Sequence, residues 1–175
     1  MTFEEAWNGV ADIIQLSKPE AAKLFEFVQS LSMDAVIVEI GTWKCGSALL
    51  MAHTGRKIYT IDNFRTDQFN PGRPSEGEAK TKIKGFNIEL IVGDSQEIAK
   101  TWDKPINLLF IDGNHFYEGV KADIESWVPH VIKEGLVCFH DYDSHRDVTK
   151  AVNEAIEKKI IGFDMTLLIT RKYNV

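Results

Sequence analysis

The sequence predicts an α/β fold: a doubly wound, mostly parallel sheet with helices on both faces. Three observations carry this reading. Short runs rich in β-branched residues recur through the chain. They are nearly continuously apolar rather than alternating, which suits strands buried on both faces of a parallel sheet. Stretches with helical spacing lie between them, the order that parallel strands joined by crossover helices require. With 175 residues, 44% of them hydrophobic and 26% charged, the chain is long enough for one real core.

Two helical patterns come first. Phe3, Trp7, Val10, Ala11 and Ile14 repeat at helical spacing. Ser17 then stands as an N-cap with Glu20 as its capping-box partner and Pro19 in the first turn, ahead of Leu24, Phe25, Val28 and Leu31. The predicted strands are AVIVEI (35–40), KIYTID (57–62), IELIVG (88–93), INLLFID (106–112), LVCFHD (136–141) and MTLLIT (165–170). Helices are predicted from Gly46 to His53, after Asp94 with Glu97 as its box partner, around Val120, Ile124, Trp127 and Val128, and around Val148, Val152, Ala155 and Ile156. Pro129 has no N–H and should end or kink its helix. Asn63 to about Thr81 is polar, with two prolines and two glycines, and reads as a long functional or mobile loop. The sequence has no internal repeat and no linker-like stretch. Residues 1–175 are therefore read as a single domain, with helices over 1–33 and the α/β core over 34–175. After the last helix there is room for one good strand and a second short one, so the C-terminal strand region is expected to be shortened.

Charge and cysteine usage narrow the partners. Twenty basic against 26 acidic residues give a net charge of -6, spread along the chain. That balance argues against nucleic acid or an anionic membrane as the main partner. Cys45 and Cys138 lie far apart without metal-ligand spacing, so a reducing, cytoplasmic setting is expected. The N-terminal stretch MTFEEAWNGV lacks the basic and apolar segments of a signal peptide.

Ligands of open α/β sheets bind beyond the carboxyl ends of the strands. The first predicted strand leads into Glu39, Gly41 and Gly46, and the second into Asp62 and Asn63. The third leads into Asp94, Ser95 and Gln96, and the fourth into Asp112, Gly113, Asn114 and His115. The fifth ends on His140, Asp141, Tyr142 and Asp143. A glycine-bearing first turn lets the backbone approach a ligand. Asp62 can accept from both hydroxyls of a ribose, though it could equally be a helix cap. Gly113 is read as permitting a turn. The G-x-G-x-x-G fingerprint fails, because Trp43 takes the second glycine's place and would crowd a pyrophosphate. A P-loop fails because Ser47 stands where its lysine is required. An adenosine ligand without a pyrophosphate fits better.

At this point the chain resembles a known family. VEIGTWKCGSALLMA looks like the first motif of class I S-adenosylmethionine-dependent methyltransferases, with their Rossmann-like core. It is most similar to small catechol-type and sugar or macrolide O-methyltransferases. In those the turn reads Glu-x-Gly-small-aromatic-x-Gly-x-Ser. Glu39, Gly41, Thr42, Trp43 and Ser47 match, whereas the second glycine falls on Cys45 and Gly46 comes one position later. Similar segments run from about Ala35 to Tyr142. The resemblance implies S-adenosyl-L-methionine as cofactor, held by Glu39, Gly41, Thr42, Trp43, Ser47, Asp62, Asn63, Asp94, Ser95, Gln96 and Asp112. It also implies a small-molecule acceptor methylated on a hydroxyl.

In metal-dependent members the acid after the fourth strand, here Asp112, binds a divalent cation, and so does the acid after the fifth, here Asp141. The third ligand would fall on Tyr142, a poor one, leaving His140 or Asp143 as substitutes or no tight metal. Oxygen ligands favour Mg²⁺, whereas a histidine among them shifts the choice toward Zn²⁺, Mn²⁺ or Fe²⁺. His115 falls where catechol-type enzymes carry a lysine base. An imidazole titrates near neutral pH and suits that role, although it could instead cap the next helix. The catalytic candidates are His115 and Asp112. His53, His130 and His145 are read as surface residues. Phe64, Arg65, Phe69 and Arg73 of the long loop are expected to form a lid or acceptor contact. A shallow acceptor pocket could be completed by a second copy of the chain. Two other readings stay open: a methyltransferase-like domain that binds without catalysing, and a nucleotide-dependent oxidoreductase.

Overall fold

The computed structural model describes residues 1–65, 72–155, 160–164 and 167–171, without the side chains of 160–164 and 171. The predicted Ile156 and Phe69, and the first two residues of the predicted strand 165–170, lie outside the described residues.

Among the described residues seven strands form one sheet: β1 (Ile37–Ile40), β2 (Ile58–Asp62), β3 (Ile88–Val92), β4 (Ile106–Ile111), β5 (Val131–Phe139), β6 (Ile160–Asp164) and β7 (Leu167–Arg171). Their order is β3-β2-β1-β4-β5-β7-β6. The first five run parallel, while β7 is antiparallel to both β5 and β6. The C-terminal region is compact, yet both strands of its antiparallel pair are present. The chain winds outward through β2 and β3 and returns to place β4 beside β1. The carboxyl ends of β1 and β4 are therefore the switch point, where such sheets bind ligands.

The helices are α1 (Phe3–Asn8), α2 (Lys18–Ser30), α3 (Gly46–Ala52), α4 (Glu76–Lys82), α5 (Ser95–Ala99), α6 (Tyr117–Trp127) and α7 (Arg146–Ala155). Successive strand residues point to opposite faces, and each face has its own core. On one, Ile37, Ile58, Leu108, Phe110 and Cys138 pack with residues of α1 to α4, among them Ala6, Leu24, Leu50 and Ala79. On the other, Val38, Ile61, Leu109, Ile111 and Val137 pack against Ala99, Val120, Ile124, Trp127, Val148 and Val152 of α5 to α7. The continuous apolar runs are thus the signature of a sheet covered on both sides.

Ser17 and Glu20 form the expected capping box on α2. Asp94 caps α5 by accepting from the backbone of Gln96 and Glu97. Pro129 sits in a 3₁₀ turn, Val128–His130, directly after α6. Three differences from the sequence reading have local causes. The first helix is short: α1 stops at Asn8, and turns carry the chain through Gly9. The loop after β2 contains α4, started by a Ser75–Glu78 capping box. And β5 begins at Val131, five residues before the predicted start at 136, because its first turn is irregular. Pairing slips between Ile106 with Val131 and Leu108 with Leu136. Glu134 takes a left-handed φ of 62° within that slip. Among the described residues no helix is long and apolar enough to cross a membrane.

Candidate active site

The first turn, after β1, is built against β4. Gly41 has φ +96°, and a Cβ there would lie 2.2 Å from the carbonyl oxygen of Asp112. Only glycine combines that backbone with that approach. Cys45, where the resembled motif carries glycine, takes the left-handed φ of 66° itself and caps α3 while fully buried. Gly46 serves another purpose: a Cβ there would meet Ile14 Cα at 2.5 Å. Helix α3 can therefore lie against the turn that comes after α1.

Asp62 anchors this turn. Its Oδ2 accepts from the backbone N–H of Thr42 at 2.9 Å and Trp43 at 3.1 Å. Its Oδ1 accepts from Phe64 N–H at 2.8 Å and pairs with Arg73, whose guanidinium lies 5.7 Å from the Trp43 ring centre. Beneath the turn Glu39 is 0% exposed and accepts from the hydroxyls of Ser47 and Thr60. Thr60 and Thr42 hydroxyls are 2.6 Å apart. Burial lifts the Glu39 carboxyl to about 8, against the pull of the two hydroxyls. A cavity of about 630 Å³ lies beyond β1 to β4, lined by Gly41, Asp62, Asn63, Asp94, Ser95, Gln96 and His115, among others. Of the residues expected to hold the cofactor, Glu39, Thr42, Trp43, Ser47 and Asp112 do not line it; the first four hold the turn from beneath or from the side, and Asp112 belongs to the acid–histidine cluster beyond β4.

Beyond β4 and β5 the ionisable groups converge on Asp141, itself left-handed at φ 58°. His115 Nε2 lies 3.0 Å from Asp141 Oδ2 and 3.9 Å from Asp112 Oδ1. His140 Nδ1 lies 3.0 Å from Asp112 Oδ1 and 3.2 Å from Asp141 Oδ2. Ser144 donates to Asp141 Oδ1 at 2.6 Å. The carboxylates of Asp112 and Asp141 beside its ring favour the imidazolium and raise His115 to about 9, against burial. His140 rises to about 10, the same two acids outweighing the burial that opposes them. Asp141 is held well below the usual carboxylate range by its histidine and serine partners, despite burial. The ligand atoms of Asp112, His115 and Asp141 lie within 4.8 Å of one another, a spacing that could hold a metal ion.

Asp143 is exposed and outside this cluster, and the Tyr142 hydroxyl donates to Asn153 Oδ1 at 2.8 Å. His145 is exposed, as its reading as a surface residue expects, but it also borders the site. Its ring stacks on His115 with centroids 4.7 Å apart, and its Nδ1 lies 3.4 Å from Asp141 Oδ1. Nor is Gly113 the glycine its turn depends on. It has no left-handed φ and a Cβ there would meet nothing closer than 3.4 Å, whereas Gly119 on α6 leaves room for the Asn114 side chain, whose Cγ would lie 2.4 Å from a Cβ there. Sequence reasoning also missed Asp123 on α6, 3% exposed, which lines the cavity and binds Ser95 and Gln96. Its signal was available: an acid among Val120, Ile124 and Trp127, on the buried stripe of the helix.

Comparison with known proteins agrees with this architecture. A family model described as a methyltransferase domain matches residues 38–142. An uncharacterized protein of Acanthamoeba polyphaga mimivirus is 32% identical over 135 residues, 70% of this chain and 60% of that protein. The chain thus spans less than two thirds of that relative's length. The TDP-rhamnose 3'-O-methyltransferase of calicheamicin biosynthesis has a similar structure, with TM-score 0.67 at 18% identity over 98% of this chain and 87% of that one. The O-methyltransferase TomG from Streptomyces achromogenes, solved in complex with SAM, gives 0.65 at 16% identity over 97% and 88%. At these identities the structural likeness is one of fold. The family model covers more than half of the chain, so the chain belongs to the methyltransferase-domain family, and its doubly wound sheet is the class I methyltransferase fold.

Proposed function

We propose that this chain is an S-adenosylmethionine-dependent methyltransferase acting on the oxygen of a small-molecule hydroxyl. One observation carries the reading: His115 belongs both to the cavity wall and to the acid–histidine cluster. A cofactor in the cavity would thus end next to groups that can bind and deprotonate an acceptor. The 3'-O-methyltransferase among the structural relatives supports an oxygen acceptor by analogy of fold.

In this reading Asp62 receives the ribose, Ser95 and Gln96 face the adenine, and Gly41 lets the cofactor approach the backbone. The hydroxyl oxygen forms a bond to the methyl carbon as the carbon–sulfur bond breaks, leaving a neutral thioether. The hydroxyl proton passes to His115. Little covalent work falls to the protein, so positioning dominates. Asp112 and Asp141 have the donor chemistry to hold a divalent cation, and His115 lies within ligand spacing of both; as the base it would have to keep its nitrogen off the ion. Such an ion would supply Lewis acidity that acidifies the hydroxyl.

The raised His115 qualifies its role. An imidazole at about 9 already carries a proton at neutral pH and cannot accept another. In cation-free protein the rate should therefore climb with pH toward about 9. A divalent cation at the two acids should move that rise to lower pH, since positive charge disfavours the imidazolium. The test is methyl transfer from S-adenosylmethionine to a panel of phenols, sugars and hydroxy acids, with His115→Ala as comparison. Turnover lost in that variant supports the assignment, and turnover unaffected removes His115 from it. S-adenosylhomocysteine binding without turnover on any acceptor would favour a binding domain.

A further inference from the structure

Residues 115–117, which follow β4, run beside residues 145–147, which lead into α7. The His115 and His145 rings stack with centroids 4.7 Å apart. Two positions further on, Tyr117 N–H donates to Asp147 Oδ2 at 3.1 Å. The pair between these two contacts is Phe116 and Arg146. Both line the cavity, and Phe116 is 65% exposed. An aromatic ring and a guanidinium are thus held one position from His115, the proposed base. Arg146 also differs from the aspartates and the other arginine of the wall. Asp62, Asp94, Asp123 and Asp147 each accept from protein donors, and Arg73 pairs with Asp62. The Arg146 guanidinium has no hydrogen bond or ion pair among the described residues. An exposed arginine is ordinarily only solvated. Here its place beside an exposed ring and the acid–histidine cluster leaves an unpaired positive charge where an acceptor would lie.

We infer that Arg146 is a specificity-determining residue that binds the acceptor, and that the acceptor is a hydroxyaryl carboxylic acid. Its carboxylate pairs with Arg146, its ring lies on Phe116 and its hydroxyl reaches His115. The inference rests on the methyltransferase reading above and adds to it the class of acceptor. The guanidinium presents a planar fork that matches the two oxygens and single charge of a carboxylate. A phosphate monoester carries about two charges at neutral pH, and the wall has no second unpaired arginine for it among the described residues. Phe116 supplies apolar area and a face for an aromatic ring. The alternative role for Arg146 is to hold the carboxylate of the cofactor itself, which would affect cofactor affinity and leave the choice of acceptor alone.

The two roles separate on a ratio of affinities. Protein saturated with S-adenosylhomocysteine is titrated by calorimetry with 3,4-dihydroxybenzoate and with its methyl ester, for the wild type, Arg146→Gln and Arg146→Lys. The wild type should prefer the acid over the ester by about 10- to 100-fold, the range for a charge-assisted hydrogen bond. In Arg146→Gln, which keeps a polar side chain and removes the charge, the preference should fall below about 3-fold. Arg146→Lys keeps the charge without the fork and should fall between the two. A preference that survives in Arg146→Gln overturns the inference. So does a wild type that binds S-adenosylhomocysteine but does not bind the acid, or binds acid and ester alike, and the cofactor reading then stands. If Arg146→Gln instead weakens S-adenosylhomocysteine about 10-fold or more and leaves the acid-to-ester ratio unchanged, Arg146 serves the cofactor and the inference falls. Failure of the wild type to bind S-adenosylhomocysteine overturns the cofactor reading, and the inference with it.

Discussion

Asp62 shows how one carboxylate can serve both fold and ligand. Two backbone N–H groups of the glycine turn meet one of its oxygens, while Phe64 N–H and Arg73 meet the other. A ribose arriving at Asp62 would compete with Arg73, the contact least tied to the sheet. Asp62→Asn keeps the size and removes one acceptor. It should weaken S-adenosylhomocysteine about 10- to 100-fold by calorimetry, the range for hydrogen bonds to a charged group. An unchanged Kd with a lowered Tm would assign Asp62 to the turn alone. Gly41→Ala tests the backbone beside it. A methyl 2.2 Å from the Asp112 carbonyl at φ +96° should cost more than about 3 kcal/mol in denaturant unfolding. At this scale the sequence was informative where residue type and position suffice, as with Asp62 and the cluster of Asp112, His115 and Asp141. His145 was not legible. It reaches Asp141 only because Asp141 takes a left-handed turn that places the start of α7 over the site. No residue type announces such a turn here.

At the scale of elements, the strands read clearly because a sheet covered on both faces demands continuous apolar runs. The helices that failed to read are those whose signal is not hydrophobic. Helix α4 has one fully buried residue, Ala79, and is set by the Ser75–Glu78 box within an otherwise polar stretch. The start of β5 is exposed and irregular, so its pattern resembled a loop. Cys45 and Gly46 exchange roles relative to the resembled motif: the cysteine bends the chain and the glycine admits Ile14. Gly46→Ala should therefore destabilise by about 1–3 kcal/mol, since the added methyl meets backbone at 2.5 Å and either α3 or the turn after α1 must move. Chemical denaturation measures it, and no loss of stability would mean that the two segments are not held in contact.

Across the whole molecule, charge gathers at the carboxyl ends of the strands, and stability should depend on pH accordingly. His115 at about 9 and His140 at about 10 lie above the ordinary histidine value of 6.5. Their contribution is complete below about pH 6.5 and is lost as pH rises through 9 to 10. Glu39, raised from 4.5 to about 8, acts in the same direction: its contribution is present below 4.5 and lost by about pH 8. Asp141, depressed from 3.8, contributes above that value and loses its contribution as the solution is acidified further. The Tm of cation-free protein should thus fall between pH 7 and 10, and Glu39→Gln should remove the part of that fall nearest neutrality. A Tm that rises over this range would contradict the assigned protonation states.

The most direct test of the central claim is calorimetric binding of S-adenosylhomocysteine beside NAD to the same preparation. Saturable one-to-one binding of S-adenosylhomocysteine, weakened by Asp62→Asn and with no binding of NAD, is the expected result. Binding of NAD without binding of S-adenosylhomocysteine would contradict the claim and return the chain to the oxidoreductase reading.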